Sequence, residues 1–314
     1  MAHSSGSRSS RRHTSVAESS IVVVGTVRNC AQWIAKTIAD LQEALSGFRR
    51  VQWLIVESDS DDDTPAQLQA LSRRIGQFEV RHLGMVRTRL PLRTERLAYC
   101  RNTYLNELKS SESYRDVDYV LVVDLDGLTG ALTAAGIASC WDRLDWDVCT
   151  SNQRGLYYDI WTLRHTPWSP NDCWEQVRIM RALGVCQSEA ETASVYSRMV
   201  NIPETADWIE VESAFGGLAI YRRAAIVLGT YEGLSSKGEE VSDHIALHRD
   251  LRAAGAVIVI NPRLVNFASH RGLPTPYSQG PAEVLRRGIR DVVRRVFGEE
   301  TVTRILIMVR RLLR

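Results

Sequence analysis

Short runs of branched apolar residues alternate along this chain with longer stretches in which apolar positions recur every three or four residues. Ile21-Val22-Val23-Val24-Gly25 has no polar alternation and reads as a strand buried on both faces. From about Ala31 to Leu45, Trp33, Ile34, Ile38, Leu41 and Leu45 recur at near-helical spacing. Residues 51–56 give a second strand, which ends in the acidic loop Glu57-Ser58-Asp59-Ser60-Asp61-Asp62-Asp63-Thr64. Thr64-Pro65 opens a helix with Leu68 and Leu71 on its apolar side, and Pro65 suits its first position. Residues 78–83 form a short third strand. This β-α-β-α-β alternation predicts a doubly wound α/β layer with right-handed crossovers.

The next helix, from about Thr94 to Leu108, places Leu97, Cys100, Tyr104, Leu105 and Leu108 on one stripe, and Arg101 lies within it. An inward arginine needs an anionic partner, because an unpaired buried charge is costly. Glu57 and Asp124, at the carboxyl ends of strands, are candidates, as is a bound phosphate. Val120-Leu121-Val122-Val123 then runs straight into Asp124-Leu125-Asp126-Gly127. Ligands of open α/β sheets gather outside the carboxyl ends of the strands, where both acids fall. Residues two apart in a strand share a face, so the two carboxylates can meet one cation. Such a pair calls for a compensating positive charge, and a divalent metal supplies it. The plainer alternative is a strand ending in a polar turn with Asp126-Gly127 at its corner.

Further along, a helical stretch is expected at 129–143 and a strand at 146–150. The segment from Tyr157-Tyr158-Asp159-Ile160-Trp161 to Trp174 is the most aromatic part of the chain, suited to sugar rings or to core filling. Gly216-Gly217 precedes a strand that reaches Tyr221, and the pair permits close backbone approach or a tight turn. A helix running to about Ala254 sets His244 and His248 on its inward stripe with Leu247 and Leu251. An i, i+4 histidine pair can bind zinc or can be satisfied core residues. Asp243, just before it, is an N-cap or faces the site. A last strand at 256–262 leads towards His270.

The ends differ from this core. Residues 1–18 are rich in Ser and Arg and predict a disordered tail. Residues 281–314 carry nine arginines against four acids, with Ile305, Met308, Val309 and Leu312 in a stripe. A basic amphipathic helix there suits an anionic membrane surface, a partner helix or the parent domain. The expected organisation is therefore a tail at 1–18, a main domain at 19–275 and a helical extension at 276–314. The net charge of +2 does not argue for nucleic acid, and no nucleic-acid partner is expected. Six cysteines without a CxxC pair point to reduced thiols and a cytoplasmic protein. No apolar run approaches the roughly 20 residues of a membrane span, and the N-terminus lacks the apolar region of a secretory signal. Peripheral contact at the inner membrane face through 281–314 is compatible with this.

Taken in chain order, several of these stretches resemble glycosyltransferases of the GT-A fold over about residues 20–270. They are the 56–64 loop, Leu97-Ala98-Tyr99-Cys100-Arg101-Asn102, Asp124-Leu125-Asp126, Tyr158-Asp159-Ile160-Trp161, Phe215-Gly216-Gly217-Leu218-Ala219-Ile220-Tyr221, and Ser242-Asp243-His244 with Gly255 and Pro262 behind it. Within that fold they look most like the cryptococcal capsule-type mannosyltransferases. The resemblance implies a GT-A, Rossmann-like, mostly parallel sheet flanked by helices. It implies transfer of a hexose, mannose among the candidates, from a GDP- or UDP-sugar to a hydroxyl of a glycan or lipid-linked acceptor. Thr26, Arg28, Glu57, Arg101, Asp124, Gly216 and Gly217 would contact the donor, with Glu57 near the nucleoside and Arg101 near sugar or phosphates. Asp124, Asp126 and a late histidine, His270, would hold Mn2+ or Mg2+ on the diphosphate. In an inverting reaction Asp243 or Glu240 would take the acceptor proton; in a retaining one Asp243 would bind donor or acceptor. The full Asp-Leu-Asp is more regular than in those mannosyltransferases, which favours a metal and weakens mannose as the sugar.

A rival from another class is a haloacid-dehalogenase-type phosphatase with Asp124 as nucleophile and Asp126 as general acid. Three strands precede this one, however, and Lys237 with Glu239-Glu240 fits that family's later motifs loosely. A sugar-binding protein without catalysis is a third reading, in which the acid pair would be needless.

Overall fold

The computed structural model describes residues 14–127 and 129–267. In chain order its elements are β1 (Ser20–Val27), α1 (Ile34–Ala44), β2 (Arg50–Glu57), α2 (Thr64–Arg74), β3 (Phe78–His82) and α3 (Arg93–Ser110). They continue with β4 (Tyr119–Val123), α4 (Ala134–Ala138), β5 (Val148–Asn152), α5 (Cys173–Ala182), α6 (Gln187–Ser194) and β6 (Ile209–Val211). β7 (Leu218–Arg222), α7 (Arg223–Ile226), α8 (His244–Ala253) and β8 (Ile258–Val265) complete them. All eight strands join one sheet in the order β3-β2-β1-β4-β7-β5-β8-β6. β1 to β4 run parallel, β7 is antiparallel to both β4 and β5, and β8 returns parallel to β5 with β6 antiparallel on the edge. The α/β class, the mostly parallel sheet and the flanking helices are those expected.

The period-2 geometry of the strands divides the core. Ile21 and Val23 of β1 face one side and pack in a cluster with Ile34, Ile38 and Leu41 of α1 and Leu68 and Leu71 of α2. Val22 and Val24, equally buried, point to the other face, the side from which α3 packs on β1 and β2. Burying a side chain of this size is worth roughly 1.5–3 kcal/mol, so both layers hold the central strands in register. The effect is to bring the carboxyl ends of β1, β2 and β4 to one edge. The loops after them therefore meet there: Asn29 N donates to Ser60 Oγ (3.1 Å), Ala31 N to Asp62 Oδ2 (3.1 Å) and Asp61 N to Asn29 Oδ1 (2.9 Å).

Some elements differ from expectation. The helix expected over 129–143 shrinks to the five residues of α4 and a 3-10 turn, Ser139–Asp142. Gly136 sits in α4 against Arg263 O, 3.2 Å from where a Cβ would lie, and glycine weakens a helix it interrupts. The helices α5 and α6, which follow the aromatic stretch, have no counterpart among the expected elements. Asp172 caps α5, its Oδ1 accepting from the N–H of Trp174 and Glu175, both at 2.9 Å. An aspartate followed three residues on by glutamate was the available signal.

Of the tail expected over 1–18, residues 14–18 are described: they include a 3-10 turn, Val16–Glu18, and Trp141 Nε1 donates to Thr14 O (3.0 Å). The expectations for residues 1–13, His270 and the 276–314 extension lie outside the described residues. All six cysteines are free thiols. Among the described residues no helix is long and apolar enough to cross a membrane.

Candidate active-site cleft

The acid pair is set by what lies between its members. Asp124 N donates to Gly217 O (2.9 Å), carrying the β4–β7 pairing one residue past the strand. Leu125 then turns inward, 1% exposed, over Gly25 of β1. A Cβ on Gly25 would come within 2.7 Å of both Leu125 Cδ1 and Val123 O, so the close approach requires glycine. With Leu125 anchored in the core, Asp124 and Asp126 both border the cleft, as the i, i+2 spacing predicts. Asp126 is solvent-exposed as a residue, yet desolvation by the cleft walls, followed by the charge of Asp124, pushes its carboxyl up to about 6.

Arg101 occupies the inward position read from the α3 stripe and is 4% exposed. Its Nη2 donates to Asp124 Oδ1 (3.1 Å), and its Nε lies 2.7 Å from Asp243 Oδ2 in an ion pair outside hydrogen-bond alignment. The rings of Phe215 and Tyr231 flank the guanidinium at 5.3 and 5.8 Å, a cation–π arrangement. Asp124 was an expected partner; Asp243 was not. Burial raises the pKa of Asp243, Arg101 opposes that shift and Asp124 adds to it. Glu57, the other expected partner, is turned away: its Oε2 meets His82 Nδ1 at 3.0 Å across the β2–β3 register and its Oε1 accepts from Ser60 N (3.2 Å).

A cleft of about 450 Å³ opens at this edge of the sheet. Of the residues singled out from the sequence, Thr26, Arg28, Arg101, Asp124, Asp126 and Asp243 line it. Glu57, Glu240, Gly216 and Gly217 do not, and each has a structural task instead. Glu240 Oε1 accepts from Thr94 N (3.0 Å) and Thr94 Oγ1 (3.1 Å), capping the first turn of α3. Gly216 and Gly217 hold φ of +70° and +84°, and a Cβ on Gly216 would meet Ser151 O at 2.8 Å. This left-handed turn aims Gly216 N at Asp159 Oδ2 (2.9 Å) and Gly217 O at Asp124 N. The glycines thus position two cleft carboxylates through their backbone.

The cleft also contains Asp59, Arg93, Arg96, Tyr158 and Asp159, given no individual role from the sequence, and His244, one of the histidine pair read as zinc ligands or core residues. Asp159 fell within the aromatic motif, and burial raises its pKa, opposed by the Gly216 N–H. The two histidines of α8 separate sharply. His248 Nδ1 pairs with Ser213 Oγ and Nε2 with Tyr221 Oη, both at 2.8 Å, and burial pushes it down to about 3. It is a satisfied core histidine. His244 stacks on Phe215 (centroids 4.0 Å apart), and neither ring nitrogen has a hydrogen-bond partner.

The zinc reading of the histidine pair meets the bonds of His248, whose two ring nitrogens are both taken by Ser213 and Tyr221. The acid pair fits a different kind of site. Mg2+-like cations use one or two carboxylates and take their other ligands from substrate phosphates and water. Two adjacent carboxylates, one pushed up to about 6 by its neighbourhood, match that requirement. The phosphatase reading finds no lysine in the cleft lining; Lys237 is exposed in a turn of its own.

No protein-family model matches the chain, and no curated protein matches it. Solved structures do resemble it. The mannosyltransferase PcManGT from Pyrobaculum calidifontis, in complex with GDP-Man and Mn2+, aligns with TM-score 0.44 and 14% identity over 81% of this chain and 58% of that one. S. aureus TarS 1-349 in complex with UDP-GlcNAc gives 0.44 and 15% over 90% and 68%. Glucosyl-3-phosphoglycerate synthase from Mycobacterium tuberculosis with UDP gives 0.39 and 13% over 91% and 85%. The chain spans 60% of the length of another TarS 1-349 structure. Likenesses at this level bear on neither substrate nor mechanism.

Proposed function

We propose that this chain is a GT-A-type glycosyltransferase that moves a hexose from a nucleoside diphosphate sugar to an acceptor hydroxyl. The observation that carries the reading is the acid pair Asp124–Asp126 at the carboxyl end of β4, bordering the cleft beside the buried Arg101. A nucleoside diphosphate leaves with negative charge, and a fixed positive charge beside it lowers the barrier to bond breaking. Arg101 supplies such a charge, held between Asp124 and Asp243 and two aromatic faces, so it needs no reorganisation as the charge develops. Asp124 and Asp126 would hold Mn2+ or Mg2+, which supplies Lewis-acid stabilisation of the diphosphate.

Tyr158, Trp161 and Phe215 contribute aromatic faces to the cleft, and Asp159 a hydrogen-bonding carboxylate, a combination that suits a hexose ring. Asp243 is favoured over Glu240 as the carboxylate that meets the acceptor or donor, because it borders the cleft whereas Glu240 is spent on capping α3. Mannose and the capsule-type mannosyltransferase family remain part of this reading on the order of the motifs alone. The decisive measurement is a thermal-shift screen of GDP, UDP and their hexose derivatives with and without Mn2+. A rise in Tm that needs both nucleotide and metal is expected. Hydrolysis of a phosphomonoester with no response to any nucleotide sugar would refute the proposal.

A further inference from the structure

One stretch of surface beside the cleft is unlike the rest. Residues 84–99 run from the end of β3 through a 3-10 turn, Val86–Thr88, into the first turns of α3. They expose Met85 (48%), Leu92 (38%) and Tyr99 (39%), three of the eight large apolar residues exposed among the described ones. The same stretch carries Arg87, Arg89, Arg93 and Arg96 against a single acid, Glu95. Among the described residues none of these four guanidinium groups takes part in a salt bridge.

Arg87 N donates to Asp59 Oδ1 (2.8 Å) and Arg93 faces the charges of Asp126, Glu240 and Asp243, whereas Arg89 and Arg96 meet neutral groups. Arg96 Nη1 donates to the carbonyls of Leu90 (2.9 Å) and Pro91 (2.6 Å), which fixes the loop, and Arg89 lies over the Tyr99 ring at 5.4 Å. Arg89 and Arg93 are exposed, Arg87 and Arg96 half-buried, and four arginines against one acid in this stretch leave a local excess of positive charge that attracts anions. Apolar side chains interleaved with that charge gain nothing from a polyanion in water but bury surface at a lipid headgroup boundary. The 281–314 segment, with nine arginines against four acids, is a poor electrostatic match for this rim.

We propose that the 84–99 rim docks on an anionic lipid bilayer, with Met85, Leu92 and Tyr99 entering the headgroup layer and the arginines pairing with lipid phosphates. Arg93 and Arg96 also line the cleft, so docking would bring the cleft to the membrane surface. On the glycosyltransferase reading, on which this clause rests, the acceptor hydroxyl is then carried by a membrane lipid. Docking itself stands apart from that reading, since it needs no nucleotide.

The test uses the full chain with vesicles of phosphatidylcholine alone and of phosphatidylcholine with phosphatidylglycerol. Partition onto the anionic vesicles, weakened by salt, is expected, with hydrogen exchange slowed in 84–99 on binding. The combined substitution Met85→Ser, Arg89→Glu and Leu92→Ser, which replaces no cleft-lining residue, should reduce partition at least tenfold and leave the nucleotide-dependent thermal shift intact. No partition of the parent chain, unchanged exchange in 84–99, or equal partition of the variant would each overturn the proposal. So would binding to a duplex oligonucleotide in place of vesicles. Loss of the nucleotide response in the parent chain would instead strike the glycosyltransferase reading and leave docking untouched.

Discussion

The two ends of β4 carry aspartates into opposite surroundings. At the start, Asp118 Oδ2 accepts from Ser20 N (2.7 Å) and Ser20 Oγ (2.8 Å), while its carbonyl accepts from Arg223 N (3.0 Å). That carboxylate ties β1 to β4, and the fold supplies its donors. At the far end, Asp124 shares the buried Arg101 with Asp243, and Asp126 faces the like charge of Asp124. Here the acids outnumber the buried cation. The difference separates a carboxylate that holds the fold together from a group that the fold leaves undercompensated, as functional sites often are.

The comparison can be broken most forcefully at Arg101. Arg101→Ala leaves Asp243 buried without its cation, and removing one partner of a buried pair costs about 3–5 kcal/mol. Urea unfolding should show that loss, together with loss of the nucleotide-dependent thermal shift. Arg101→Ala with native stability would mean that the cluster does not depend on its cation.

Asp126→Asn should reduce metal-stimulated sugar transfer by roughly 10²–10³-fold, the scale of losing one preorganised electrostatic group, while the fold persists. Its pH dependence is the sharper readout. The Asp126 carboxyl rises from 3.8 to about 6 on folding. Below 3.8 both states hold the proton and the group is neutral for stability. Between 3.8 and about 6 the unfolded chain releases the proton first, so stability falls as pH rises, and the full penalty stands above 6. Metal-free protein should show this decline, Asp126→Asn should lack it, and Mn2+ should remove it at neutral pH. Identical pH profiles for the two proteins would count against a strained acid pair.

Asp118→Ala, at the other end, should cost about 1–3 kcal/mol by leaving Ser20 N without its side-chain acceptor, with nucleotide and metal responses unchanged. A binding defect equal to that of Asp126→Asn would erase the contrast between the two ends. The smallest effect belongs to α8. His248→Phe should destabilise by about 1–3 kcal/mol, because it strands the hydroxyls of Ser213 and Tyr221. His244→Phe should stay within about 1 kcal/mol of the parent or gain stability, since it removes two unpartnered ring nitrogens and keeps a ring against Phe215. Equal losses for the two would show that His244 has a partner in solution.

Much of the fold was legible because burial writes itself as period. The strands β1, β2 and β4 each hold an uninterrupted run of at least four apolar residues, and α1 and α3 are apolar stripes. The inward position of Arg101 followed from the same arithmetic. Direction was not legible: the first four residues of β7 are buried and apolar like those of β4, and a strand buried on both faces reads alike whichever way it runs. The helices α5 and α6 were hidden because little of either is buried, with Cys173 and Val177 alone inward in α5.

In the site, the acid pair was visible as two carboxylates at a strand end, but their allocation was not. Glu57 and Glu240 carry the same charge as Asp124 and Asp243, yet one bonds His82 and the other caps α3. The amino-acid order by itself determined the layers, the central strands and the strand tip at which anions collect, since each is a consequence of neighbours within a few positions. The tertiary structure alone decided which carboxylates meet Arg101, that the glycine pair sets the backbone of Asp124, and that residues 84–99 lie beside the cleft. Those outcomes depend on pairings between residues far apart in the chain, such as Arg101 with Asp243, and short-range periodicity carries no information about them.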